Sequence, residues 1–163
     1  MMVRNSPQGG GIVIVTFLMA LLLTAFPLPS WAESWRPAWA ALVLLYWCMA
    51  LPHRVGVGTA WLVGILLDVL TETLLGQHAF ALSIAAFVTL KLYQRIRVLP
   101  IWQQGVSVFA LILLYQLCLV WVNGTVGRPV SAWSYWSSPL ASTLLWPSVF
   151  VLLRGIRRRY RVA

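Results

Sequence analysis

Six apolar runs, broken by short stretches of charge, proline and glycine, constrain this chain more than any other feature. They cover about residues 12–28, 38–51, 55–75, 79–92, 102–122 and 139–153. No segment between them is long enough to bury a core of its own, so a single domain over residues 1–163 is expected. Only 9% of the residues are charged and 61% are hydrophobic, whereas a soluble domain carries about 25% charged residues. Such a chain cannot cover a water-facing surface. It reads as an all-α integral membrane protein, with six transmembrane helices in one bundle. A bilayer core takes roughly 20 helical residues, so runs two, four and six are short. Flanking Trp, Tyr, Lys and Arg at the interface, or local thinning, would have to make up the difference.

Basic residues orient the bundle. Ten of the twelve lysines and arginines fall in alternate segments on one side: Arg4, Arg54, Lys91, Arg95, Arg97, Arg154, Arg157, Arg158, Arg159 and Arg161. Only Arg36 and Arg128 fall on the other. The positive-inside rule then puts both termini in the cytoplasm, with an even number of spans. Tryptophans agree: Trp31, Trp35, Trp39, Trp121, Trp133 and Trp136 gather near the outer interface and Trp102 near the inner one. Trp61 and Trp146 are expected within the bundle or at its edge. An alternative reading takes Arg4, the first apolar run and "PLPSWAES" as a secretory signal cleaved after Ala32. It leaves five spans with the remaining orientation unchanged.

The net charge of +9 does not point to nucleic acid, because the basic residues punctuate apolar runs and form no aromatic-plus-basic platform. Cys48 and Cys118 lie inside apolar runs and read as small buried hydrophobes, with neither disulfide nor metal spacing.

The chain has three acidic residues, and two of them lie in "GILLDVLTETLLG", residues 64–76. An aspartate at the middle of a membrane helix costs roughly 2.5–3.5 kcal/mol to insert, so Asp68 should face protein or trapped water. Gly56, Ala60, Gly64 and Asp68 recur every four residues, and small residues at that spacing let a second helix approach closely. This stripe is a candidate helix-packing or partner face. Depth matching suggests Gln116 in the fifth run as a hydrogen-bond partner for Asp68, with Ser83 and Thr143 as weaker candidates. Asp68 can thus serve as internal polar glue, as a contact to another membrane protein, or as part of a proton or substrate site. Glu72 is expected to reach the outer interface. A metal site made of Asp68, Glu72 and His78 lacks further ligands, and none is expected. His53 and Arg54 in the turn "ALPHRVGVG", Arg95 and Arg97, and Arg157, Arg158 and Arg159 in the tail are candidate cytoplasmic contacts. The plain reading is a solvated histidine and a positive-inside anchor with mild attraction to anionic lipid, and docking of a cytoplasmic protein is the alternative. No Gly-x-Ser-x-Gly, His-Glu-x-x-His or phosphate-binding loop occurs, and no catalytic set or cofactor site emerges.

"RPAWAALVLLYWCMALPHRVGVGTAW", "GILLDVLTETLLG" and "KLYQRIRVLPIWQQ" together resemble the rod shape-determining protein MreD family. The likeness runs nearly the whole length. It rests most on Arg36-Pro37, on Pro52-His53-Arg54, and on Gly64, Asp68 and Gly76. The resemblance implies a non-enzymatic inner-membrane member of the bacterial elongation machinery, acting with MreC, the actin-like MreB, RodZ, and RodA with its penicillin-binding partner. It also implies a fold like the substrate-binding subunits of energy-coupling-factor transporters, and it carries no catalytic residues. The chain departs from the family pattern at Thr71-Glu72-Thr73, where a small residue is common, so no shared role passes to Glu72. A small-molecule-binding transporter subunit, with Asp68, Gln116 and nearby aromatics lining a pocket, is the alternative.

Overall fold

A computed structural model describes residues 10–27, 29–30, 35–72, 74–127 and 136–160. Arg4, Trp31, Ala32, Thr73, Arg128, Trp133 and Arg161, all used in the reading above, lie outside the described residues. Among the described residues six helices follow one another: α1 Gly10–Ala25, α2 Trp39–Ala50, α3 Val57–Thr71, α4 Gln77–Arg97, α5 Ile101–Val126 and α6 Ser137–Arg159. Among the described residues there is no strand.

Among the described residues three helices, α4, α5 and α6, are long and apolar enough to cross a membrane. This revises the expectation about which runs are short. Runs four and six lengthen into helices of 21 and 23 residues because their basic ends stay helical. Lys91, Arg95 and Arg97 extend α4, and Arg157, Arg158 and Arg159 extend α6. Such side chains favour the last turn, where they meet the negative end of the helix dipole. Run two is short as expected, α2 having 12 residues, and it is joined by α1 and α3 with 16 and 15. Run three loses its last residues because the chain turns left-handed at Glu72, with φ 53°.

The 12-residue α2 is the spine of the bundle. It touches each of the other five helices, and residues 40 to 49 are all buried. Its sequence, "WAALVLLYWCMA", has no charged position on any side, as a helix enclosed by protein requires. α1 shows the contrasting pattern. Val13, Phe17, Ala20 and Leu21 face inward at helical spacing, while Ile14, Val15, Leu18 and Leu22 are exposed. Trp146 is buried in α6 and Trp61 lies exposed on α3.

Polar side chains tie the spine in place. Trp47 Nε1 donates to Thr16 Oγ1 at 2.9 Å, and that hydroxyl donates to the Val13 carbonyl at 2.7 Å. At the start of α2, which lacks a capping side chain of its own, Ser142 Oγ of α6 accepts from the Ala38 N–H at 3.0 Å. Ser138 Oγ donates to the Arg36 carbonyl at 2.8 Å. The Arg36 guanidinium donates to the carbonyls of Thr24 at 2.5 Å and Phe26 at 3.1 Å. A cation there satisfies carbonyls that the end of α1 leaves unpaired.

Candidate functional site

The most extensive helix pair is the antiparallel hairpin of α3 and α4. The small-residue stripe explains its closeness. A Cβ added at Gly64 would collide with the backbone N and Cα of Ala79 and lie 2.8 Å from the His78 carbonyl carbon. Only glycine permits that approach. One at Gly56 would meet Leu90 Cδ1 at 3.8 Å, and Ala60 between them is fully buried. The stripe thus packs inside the chain, with 56 facing 90 and 64 facing 79.

Asp68 closes the hairpin. It is only 1% exposed. Its Oδ2 accepts from the Gly76 N–H at 2.8 Å, and its Oδ1 accepts from the His78 N–H at 3.0 Å. His78 Nδ1 lies 2.7 Å from the same Oδ1. Gly76, with φ 99°, is the N-cap of α4 and has no side chain to cap with. Asp68, eight residues earlier on the preceding helix, supplies the missing acceptor. Its negative charge also meets the positive end of the α4 dipole. The His78 ring packs against Tyr115 of α5 with centroids 6.2 Å apart, which links the cap to a third helix.

These bonds of Asp68 run to Gly76 and His78, not to Gln116. The suggested Asp68–Gln116 pairing is therefore replaced by a local cap. Depth matching found a helix at the right level, but the carboxylate turns toward backbone donors only one turn of chain away. Gln116 is buried on α5, and its Oε1 has no partner among the described residues. Ser83 and Thr143 donate to carbonyls of their own helices, those of Ala79 and Pro139. Glu72 ends α3 in the left-handed region and is exposed, so it does not share a face with Asp68. Among the described residues no group of three or more His, Cys, Asp or Glu gathers.

The candidate cytoplasmic contacts collect at the opposite end of the bundle, about 30 Å away along the 21 residues of α4. His53 is exposed in the α2–α3 turn, and the neighbouring Arg54 guanidinium lies against Gly10 at the start of α1. Arg95, Arg97, Arg158 and Arg159 are exposed and Arg157 is half-buried. Arg97 and Arg157 meet, with Arg154, around a cavity between α2, α4, α5 and α6; His53 and Arg54 do not line it. Sequence reasoning missed Arg36, Thr16, Trp47, Ser138 and Ser142 as structural polar groups. Arg36-Pro37 was noticed as a pattern but given no role, and single hydroxyls in apolar helices carry no signal of their partner.

The comparisons bear on what this fold serves. A family model for "rod shape-determining protein MreD" matches residues 9–156. The rod shape-determining protein MreD of Haemophilus influenzae is 33% identical over 150 residues, covering 92% of this chain and 93% of that protein. No solved structure matches. The match spans the Asp68 hairpin and most of α6, and the chain belongs to the MreD family of rod shape-determining proteins.

Proposed function

We propose that this chain is a non-enzymatic scaffold of the bacterial cell-elongation complex. It crosses the inner membrane six times, keeps both termini in the cytoplasm, and holds MreC. Through MreC it helps control lateral peptidoglycan synthesis and cell shape. MreB, RodZ, and RodA with its penicillin-binding partner are further candidates for contact, and anionic lipids surround the basic end. The bundle would be of the kind that substrate-binding subunits of energy-coupling-factor transporters have.

The observation that carries this reading is the use made of Asp68. The one buried carboxylate among the described residues holds α3 to α4, which leaves no acid of that core to a substrate or a proton path. Six crossings are compatible with the short helices. α2 is walled by protein and never meets lipid, so it need not match the bilayer. α1 and α3 can be matched by local thinning and by their flanking segments. Cytoplasmic termini follow from the crowding of arginines at the end opposite Asp68.

The alternative, a transporter subunit with a pocket at Asp68 and Gln116, has less to rest on, since hydrogen bonds from α4 already occupy both Asp68 oxygens. The deciding experiment is affinity purification of the tagged wild-type protein from detergent-solubilised membranes, with mass spectrometry of what accompanies it. MreC recovered in near-stoichiometric amount is the expected result. Absence of every elongation protein from a folded, abundant preparation would overturn the scaffold reading.

A further inference from the structure

At the basic end, Tyr46, Met49 and Ala50 of α2, Arg97 of α4, Gln104 of α5, and Phe150, Arg154 and Arg157 of α6 enclose a cavity of about 100 Å³. By that measure a single water needs roughly 10–15 Å³, so the space admits a group of several heavy atoms. Three arginines line it, and among the described residues no carboxylate pairs with Arg97, Arg154 or Arg157. Both described acids, Asp68 and Glu72, lie at the far end of the bundle. Arg157 approaches the Tyr46 hydroxyl, and Arg154 stacks over the Phe150 ring at 6.0 Å, so protein groups hold both in position. Gln104, only 5% exposed, lines the same space with its Oε1 unpaired among the described residues. Its Nε2 makes only a long 3.5 Å bond to the Arg97 carbonyl. A buried amide oxygen without a donor is costly, and it marks a position where a ligand hydroxyl or N–H fits.

We propose that this cavity binds the phosphodiester of an anionic lipid head group, with Arg97, Arg154 and Arg157 on the phosphate oxygens, Tyr46 at its floor, and Gln104 accepting from a head-group hydroxyl. Guanidiniums pair with phosphate through two parallel N–H bonds, which suits a cavity lined by three arginines. A lipid is favoured over a soluble anion because the cavity sits at interface depth. Trp102 is 68% exposed two residues before Gln104, and Val98 and Ile101 beside it are exposed and apolar. Exposed tryptophan of that kind settles at the head-group level. Basic pockets between membrane helices on the cytoplasmic side bind such head groups. The inference needs no partner protein and stands apart from the scaffold reading.

The test uses the full chain purified in a neutral detergent, which removes the surface potential of a charged bilayer. Phosphatidylglycerol, phosphatidylcholine and inorganic phosphate are the probes, and binding is read by native mass spectrometry and by titration. One phosphatidylglycerol per chain is expected, with phosphatidylcholine and millimolar phosphate failing to displace it. Arg97→Gln with Arg154→Gln should weaken it by about tenfold per arginine, on the order of 100-fold for the pair. The equally charged control, Arg95→Gln with Arg159→Gln, should change it by less than about threefold in 150 mM salt. All four arginines are exposed, so neither pair disturbs the core. Equal losses from both pairs would reduce the site to diffuse charge and overturn the proposal. Equal binding of phosphatidylcholine would overturn the anion requirement, and displacement by inorganic phosphate would overturn the lipid source. Gln104→Met, which alters no charge, should erase a preference for phosphatidylglycerol over phosphatidic acid; an unchanged preference would remove Gln104 from the site.

Discussion

Removal of the Asp68 carboxylate should loosen the start of α4 before it loosens anything else. In the wild type its two oxygens accept two backbone N–H groups and face His78 Nδ1, at 2.7–3.0 Å. Asp68→Ala leaves the Gly76 and His78 N–H groups without these acceptors. An orphaned buried donor costs about 1–3 kcal/mol, so the pair sets a range of about 2–6 kcal/mol. Water at the bundle's end lowers the upper bound, since the His78 side chain is 13% exposed. Interhelical hydrogen bonds in membranes also average only about 0.6 kcal/mol when both partners are uncharged. A loss of about 2–4 kcal/mol is therefore expected. Asp68→Asn keeps one acceptor oxygen but sets an NH2 group against an N–H donor, so about half of that loss should remain. His78→Phe keeps the ring beside Tyr115 and removes one side-chain bond, for about 0.5–1 kcal/mol. The assay is hydrogen exchange at residues 76–80 of the detergent-purified protein, beside its thermal transition. For Asp68→Ala, exchange at the Gly76 and His78 amides should quicken by roughly 30- to 700-fold, as 2–4 kcal/mol of local opening requires. Wild-type exchange there would refute the cap.

Other perturbations separate the remaining contributions. Gly64→Ala forces its Cβ into the backbone of Ala79 and should lower stability by about 1–3 kcal/mol through overpacking. Gly58→Ala on the same helix meets nothing within 4 Å and should be neutral or stabilising by up to about 1 kcal/mol; comparable thermal losses from the two would exclude close approach as the cause. Trp47→Phe and Thr16→Val should each weaken the bundle, and a double-mutant cycle should show coupling of about 0.6–1.7 kcal/mol; additive effects would mean the Nε1–Oγ1 bond carries no energy. Arg36→Met should cost about 1–2 kcal/mol by uncapping the end of α1, with Arg36→Lys restoring only part, as thermal unfolding would read. In a background free of Cys48 and Cys118, His53→Cys should label only from the cytoplasmic side and Leu74→Cys only from outside; the reverse would invert the proposed topology.

The sequence made the architecture legible wherever one physical requirement dominated. The six apolar runs became six helices among the described residues because lipid and protein interiors both demand paired backbones, but the enclosure of α2 was not legible, since an uncharged helix facing lipid reads the same. The stripe of Gly56, Ala60 and Gly64 signalled a close helix pair without naming the partner, since period four fixes a face and not what covers it. Helix ends were less readable. "KLYQRIR" looks like a polar connector, yet long basic side chains can stay helical while their charges reach the interface. The candidate site divided in the same way. Burial of Asp68 followed from its cost in hydrocarbon, but its partner did not: Gly76 entered only through the family resemblance, and the missing cap on α4 appears only once the left-handed turn at Glu72 is known. Likewise the arginines of α4 and α6, 57 residues apart from Arg97 to Arg154, meet through the packing of both helices around α2.

The two ends of the bundle meet the same problem in opposite ways. A helix end exposes unpaired backbone groups, and in a membrane protein water is scarce just where they point. At the Asp68 end the chain answers from within: Asp68 accepts for α4, Arg36 donates to α1, and Ser142 accepts for α2. Each partner comes from a different segment, so these caps also lock the order of the helices around the spine. At the other end, among the described residues, Arg97, Arg154 and Arg157 have no carboxylate partner and Gln104 Oε1 is unpaired. Self-sufficiency at one end and deficit at the other make the ends unequal in what they can bind. The first spends its buried carboxylate, and much of the Arg36 guanidinium, on the chain's own backbone. The second attracts anions, whether the lipid of the cavity or an acidic surface on a cytoplasmic protein. An occupied cavity would join α2, α4, α5 and α6 through one ligand, and the basic end would then be ordered by the membrane itself.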